Sequence, residues 1–194
     1  MTTDIRAAAT LVLLRQMPAG PAVLMGQRGA AAAFMPSKYV FPGGAVDASD
    51  ANAHPSDADP RLVLHCPESA PSPAALSHAA RRELLEETGL ILPITAALQF
   101  IFRAITPPGR SRRFDARFFL ADAADLTTDP DAFAGDAELG HLHWVLLSET
   151  RKLDLPFITE VVLAEVTALS RGTHQPGVPF FDNSGDIPTF RRLI

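Results

Sequence analysis

Apolar residues come in short bursts through the first third of the chain. Ala8–Leu14 (AATLVLL) and Pro21–Arg28 (PAVLMGQR) flank the turn signal Pro18-Ala19-Gly20-Pro21, and Lys38–Phe41 runs into the tight Pro42-Gly43-Gly44. Apolar runs this short, closed off by proline and glycine, predict strands rather than helices. From 51 to 71 the pattern lapses into polar, proline-broken sequence apart from Leu62-Val63-Leu64, which predicts an inserted, partly mobile loop. Helical spacing begins at Ser72-Pro73, a good N-cap residue followed by a proline suited to the first turn. It ends at Gly89, a residue type that closes helices in the left-handed conformation. Beyond it, QFIFRAIT and RRFDARFFLA around Pro107-Pro108-Gly109 predict a hairpin, HLHWVLL a further strand, and Phe157–Leu169 a last helix. Strands, one central helix, more strands and one late helix make an α+β fold, a mixed sheet sandwiched by helices. No repeat or interdomain linker is visible, so 1–194 is expected to form a single domain.

Composition narrows the function classes. At 194 residues and 47% apolar, the chain can build a core without disulfides, and its single cysteine, Cys66, cannot form one internally. The net charge is 17 minus 22, or -5, which argues against a broad basic surface for nucleic acid. The richest apolar stretch, GLILPITAALQFIF, is interrupted by Pro93, Thr95 and Gln99 and is no bilayer span. MTTDIR carries an acid and lacks the basic region of a signal peptide, so a cytoplasmic protein is expected. Homo-oligomerisation stays open.

The chemistry-bearing segment is SHAARRELLEETGL. At 100° per residue Glu83, Glu86 and Glu87 fall within one helical sector of about 100°. That placement is locally unfavourable, because Glu83 and Glu87 are a like-charge i,i+4 pair and all three acids sit toward the end of the helix that prefers cations. The deficit, about 1 to 3 kcal/mol, is tolerable for a domain stable by about 5 to 15 kcal/mol. A solvated acidic helix end, with Arg82 pairing Glu86, is therefore as permissible on energy as a cation-binding face.

The neighbouring residues decide between them. Arg82-Glu83-Leu84-Leu85-Glu86-Glu87-Thr88-Gly89-Leu90 matches the second half of the Nudix box, Arg-Glu, aliphatic, any residue, Glu-Glu, any residue, Gly, aliphatic. The chain resembles a Nudix hydrolase, which implies a Nudix-type α/β/α sandwich around a central catalytic helix. The first half of the box, a glycine followed after five residues by glutamate, is represented by Gly44 and Asp50, an aspartate where glutamate is usual. Thirty-one residues, Ala51 to Arg81, separate the halves where the family usually has seven, an insertion of 24. YVFPGG before the first half and the capped helix around the second supply the context the motif needs.

The resemblance implies hydrolysis of a diphosphate linkage by water, assisted by Mg²⁺ or Mn²⁺ on oxygen ligands. It makes Glu83, Glu86 and Glu87 metal ligands, one of them also a candidate base, and Arg82 the residue that orients a carboxylate. Gly43 and Gly44 allow the backbone to approach the helix, with Gly44 a candidate backbone ligand. Asp50 is expected to serve as structural support. Glu138, with Asp136 beside it, is a candidate further ligand or base.

The insertion, FPGGAVDASD, and RRFDARFFLA after TPPG are similar to the coenzyme A diphosphatase branch of the family. That branch cleaves CoA or acyl-CoA to 3',5'-ADP and (acyl-)phosphopantetheine. ADP-ribose or NADH pyrophosphohydrolysis is the alternative, and a non-catalytic nucleotide-binding sensor the alternative of another class. Alternation along the 113–120 strand places Arg113, Asp115, Arg117 and Phe119 on one face, and its partner is expected to put Arg103 with Ile101 and Ile105. Arg103 and Arg113 could receive a substrate phosphate, or pair with acids such as Asp115. His54, His65, Cys66 and His78 fit no zinc-ligand spacing and read as ordinary loop residues, while Trp144, Phe100, Phe102, Phe118 and Phe119 read as core.

Overall fold

The structure is a computed structural model, and it describes residues 4–32, 34–52, 59–136 and 138–194. Among the described residues nine strands form one sheet: β1 (Ile5–Met17), β2 (Gly20–Arg28), β3 (Tyr39–Val40), β4 (Gly43–Ala45), β5 (Gln99–Ile105), β6 (Arg113–Asp122), β7 (Leu139–Leu146), β8 (Val178–Asp182) and β9 (Thr189–Leu193). The helices are α1 (Pro73–Thr88) and α2 (Phe157–Ser170). The strand order is β3-β2-β1-β6-β5-β8-β9, with β4 on β1 and β7 on β2. β1 and β6 run parallel, as do β5 and β8, and the remaining pairs are antiparallel, so the sheet is mixed.

Strand alternation sorts the core into two layers. Ala9, Leu11 and Leu13 of β1 pack with Leu76, Ala79, Ala80 and Leu84 of α1, whereas Val12 packs with Val162, Leu163 and Val166 of α2. Side chains that point to opposite faces of one strand therefore bury a helix on each side, giving an α/β/α sandwich. The expected helix boundaries hold. Ser72 Oγ accepts from the Ala75 N–H at 3.1 Å, and Gly89, at φ 74°, donates its N–H to Leu85 O at 2.8 Å.

Three expectations need correction. The alternation on β5 is broken by a bulge between Phe100 and Phe102, so Ile101 turns to the α2 layer while Phe100 and Ile105 share the α1 layer. Residues 59–71 are not a free loop: Leu62 is fully buried in the α1 layer on a 3-10 turn that Asp59 caps. The chain after α2 supplies β8 and β9, which the proline- and glycine-rich sequence had not suggested.

Candidate active site

β4 owes its place to the double glycine. Gly43 and Gly44 pair with Thr10 and Ala9 of β1, and a Cβ on Gly43 would come within 2.6 Å of Ala9 O and Thr10 Cα. A Cβ on Gly44 would sit 2.5 Å from the Glu83 carboxyl group. The turn thus presses backbone directly against the acidic face of α1, which only glycine permits.

Two of the three helix acids are drawn inward. Glu87 is buried and accepts the Gly43 N–H at 2.8 Å. Burial pushes its carboxyl up to about 8 despite that bond, with the nearby Glu83 charge adding to the rise. Glu83 is mostly buried and is likewise raised, burial outweighing the Arg82 guanidinium that binds it at 2.9 Å. Glu86 is half exposed and pairs with Arg82 Nη1 at 2.8 Å. The acids share a helix face, as the spacing requires, yet stand at different depths because the sheet covers only one side of it.

Arg82 is the hub. Its Nε and Nη2 hold Asp50 at 3.1 and 2.9 Å, Nη2 also reaches Ala45 O at 3.0 Å, and Nη1 binds Glu83 and Glu86. Asp50 is fully buried. Burial alone would raise its carboxyl, but hydrogen bonds from Arg82, the Asp47 N–H and His78 hold it down to about 2. One guanidinium therefore clamps the β4 segment to α1 and fixes the two carboxylates that flank it.

The donor set suits a hard divalent cation. All donors are oxygens, and burial raises two of the carboxylates. Among the described residues, no three His, Cys, Asp or Glu side chains close around a common point, and Arg82 engages both Glu83 and Glu86.

Glu138 is exposed and 3.8 Å from Arg28 Nη2, while Asp136 accepts the N–H groups of Glu138 and Leu139. Arg103 and Arg113, the candidate substrate contacts, are both engaged within the protein. Arg103 is buried, bidentate to Asp115 at 2.8 and 2.7 Å, bonded to Leu64 O, and stacked 4.3 Å from the Phe180 ring centre. Arg113 is spent on the carbonyls of Thr106, Asn183 and Ser184. Both arginines point into protein because the inserted segment and the β8–β9 hairpin cover that face. Phe100, Phe102, Phe118 and Phe119 are core as expected, and Trp144 donates to Pro130 O at 3.1 Å.

Two residues escaped the sequence. Arg28 ends β2 with its Nε buried and, among the described residues, without a hydrogen-bond partner, and its charge favours the ionised form of Glu87. His78 is not a loop residue; it lies on α1 with Nδ1 2.7 Å from Asp50 Oδ1. Cys66 receives a hydrogen bond from Arg117 at 2.9 Å, His65 is exposed, and His54 lies outside the described residues.

Comparison with known proteins supplies the deciding observation. Residues 71–166 match the model of the NUDIX domain family. The chain carries a Nudix domain. The fold agrees: a NUDIX hydrolase from Alicyclobacillus acidocaldarius is similar at 28% identity over 84% of this chain and 90% of that one, with a TM-score of 0.65. A C. elegans Ap4A hydrolase in a binary complex shares the fold at 18% identity, covering 87% of this chain and 99% of its own, with a TM-score of 0.59. The NUDIX domain of Shewanella oneidensis NrtR, crystallised with ADP ribose, does so at 15% identity over 87% and 90%, also at 0.59. Domain and neighbours support a Nudix hydrolase acting on phosphorus anhydrides. Among the described residues no helix is long and apolar enough to cross a membrane.

Proposed function

We propose that this Nudix hydrolase cleaves the diphosphate linkage of CoA or acyl-CoA, releasing 3',5'-ADP and (acyl-)phosphopantetheine. The reading of a diphosphate hydrolase is carried by one observation: Arg82 ties Asp50, Glu83 and Glu86 together while Glu87 is bonded to Gly43, so box and helix form one acidic site. The CoA assignment rests on the 24-residue insertion and the strings FPGGAVDASD and RRFDARFFLA.

Nudix hydrolases generally use divalent metals. Glu83, Glu86 and Glu87 would hold Mg²⁺ or Mn²⁺, with the Gly44 backbone and Glu138 as further candidates. When bound, the ion supplies Lewis acidity and lowers the pKa of its water. Arg82 keeps Glu83 and Glu86 aimed and transfers no proton, because its guanidinium stays protonated. One of the glutamates takes the proton of the water that attacks phosphorus. Arg28, whose Nε has no hydrogen-bond partner among the described residues, offers a cation to a substrate phosphate oxygen.

The test is turnover with Mg²⁺ or Mn²⁺ of CoA, acyl-CoA, ADP-ribose, NADH, Ap4A and nucleoside triphosphates, beside Glu86→Gln and Glu87→Gln. CoA or acyl-CoA is expected to be hydrolysed fastest and both variants to fall by about 100-fold or more. Turnover of ADP-ribose or Ap4A without CoA removes the substrate assignment. Nucleotide binding without any turnover replaces the enzyme by a sensor.

A further inference from the structure

Asp50 is one methylene shorter than the residue usual at its position, and its carboxylate is nevertheless fully buried and fully satisfied. Four donors meet its two oxygens. Oδ1 faces Arg82 Nε at 3.1 Å and His78 Nδ1 at 2.7 Å, and Oδ2 faces Arg82 Nη2 at 2.9 Å and the Asp47 N–H at 2.8 Å. His78 stands four residues before Arg82 on α1, so the two side chains rise from the same helix face and reach the carboxylate side by side.

We propose that His78 is a positioning residue for the hydrolytic reaction: its Nδ1–H locks the short Asp50 carboxylate in place, and Asp50 in turn fixes the Arg82 fork that holds Glu83 and Glu86. The inference rests on the hydrolase reading of the site. An ionised carboxylate only accepts, so His78 carries its proton on Nδ1. Hydrogen bonds keep Asp50 ionised against the opposing effect of burial, at about 2. Without His78, Oδ1 retains a single contact, to the same guanidinium that Asp50 is meant to restrain. On this reading a glutamate at position 50, one methylene longer, depends less on a third residue. In this chain the histidine complements the departure from the family pattern.

Amide side chains separate the roles of the two ring nitrogens, since the asparagine amide nitrogen overlays Nδ1 and that of glutamine overlays Nε2. His78→Asn, His78→Gln and His78→Phe are compared in the full chain. The readouts are steady-state kinetics with Mg²⁺ on the best substrate, melting temperature, and ¹⁵N spectra of the Arg82 Nε–H and the His78 ring. Loss of a hydrogen bond that orients a functional side chain costs about 10- to 100-fold. His78→Asn is expected within about 2-fold of wild type, whereas His78→Gln and His78→Phe lose about 10-fold in kcat with KM nearly unchanged. The Arg82 Nε–H signal should be sharp in wild type and His78→Asn and broadened in the other two. In an Asp50→Glu background the loss from His78→Phe should shrink to less than about 3-fold, the signature of direct coupling.

Wild-type kcat and an unchanged Arg82 signal in His78→Gln and His78→Phe would overturn the proposal. So would a His78→Asn as impaired as His78→Phe, or a fall in melting temperature with neither readout altered. If the wild-type protein turns over no substrate, the hydrolase reading fails by that result. The Arg82 signal and the affinity for Mn²⁺ then decide whether His78 organises the site.

Discussion

Gly44→Ala tests the idea that the glycine turn sets the depth of the acidic site. The added Cβ would stand 2.5 Å from the Glu83 carboxyl carbon and both its oxygens. Ordinary contact begins near 3.5 Å, so the carboxylate must retreat by about 1 Å. It is the far end of a flexible side chain, and the expected loss of stability is at the low end of overpacking, about 1 kcal/mol. The retreat pulls Glu83 off Arg82 Nη1, now 2.9 Å away, and out of line with Glu87. A misplacement of about 1 Å in reacting groups costs about 100-fold in rate. The expected result is therefore a protein that melts within a few degrees of wild type and loses about two decades of kcat/KM. Gly89→Ala is the counterpart. Gly89 is at φ 74° and, beyond its chain neighbours, no atom of the described residues lies within 4 Å of where a Cβ would stand, so alanine there costs about 1 to 2 kcal/mol of strain and leaves turnover per folded molecule unchanged. Calorimetry and steady-state kinetics on both variants suffice. A Gly44→Ala protein that turns over within about 3-fold of wild type refutes the reasoning.

Two further outcomes follow from the charges. Glu87 is raised from 4.5 to about 8, so its contribution is fully present below 4.5 and is lost as pH climbs through 8. The metal-free protein should lose melting temperature between pH 5 and 8, Glu87→Gln should flatten that slope, and Mn²⁺ should stabilise most at the alkaline end. An unchanged slope in Glu87→Gln removes Glu87 as its source. Asp115→Ala strips the partner from the buried guanidinium groups of Arg103 and Arg117 and should cost about 3 to 5 kcal/mol, with faster proteolysis within 59–71. A loss below about 1 kcal/mol in denaturant titration would mean that those arginines are solvated.

The sequence by itself determined the helix ends, the strand character of the first third, and the face shared by Glu83, Glu86 and Glu87. Each follows from contacts within a few residues: an N-cap hydroxyl, a left-handed glycine, a spacing of three and four. It also carried the motif that names the domain. What it could not determine was depth and company. Arg103 and Arg113 look available on an alternating strand, and only the docking of 59–71 and the β8–β9 hairpin turns them inward. His78 and Arg28 gain their significance from Asp50, 28 residues away in sequence, and from Glu87, 87 minus 28 or 59 residues away in sequence. Local spacing specifies which side of an element a residue occupies; what lies opposite, and how much water remains between, is set by chain crossings that no short window contains.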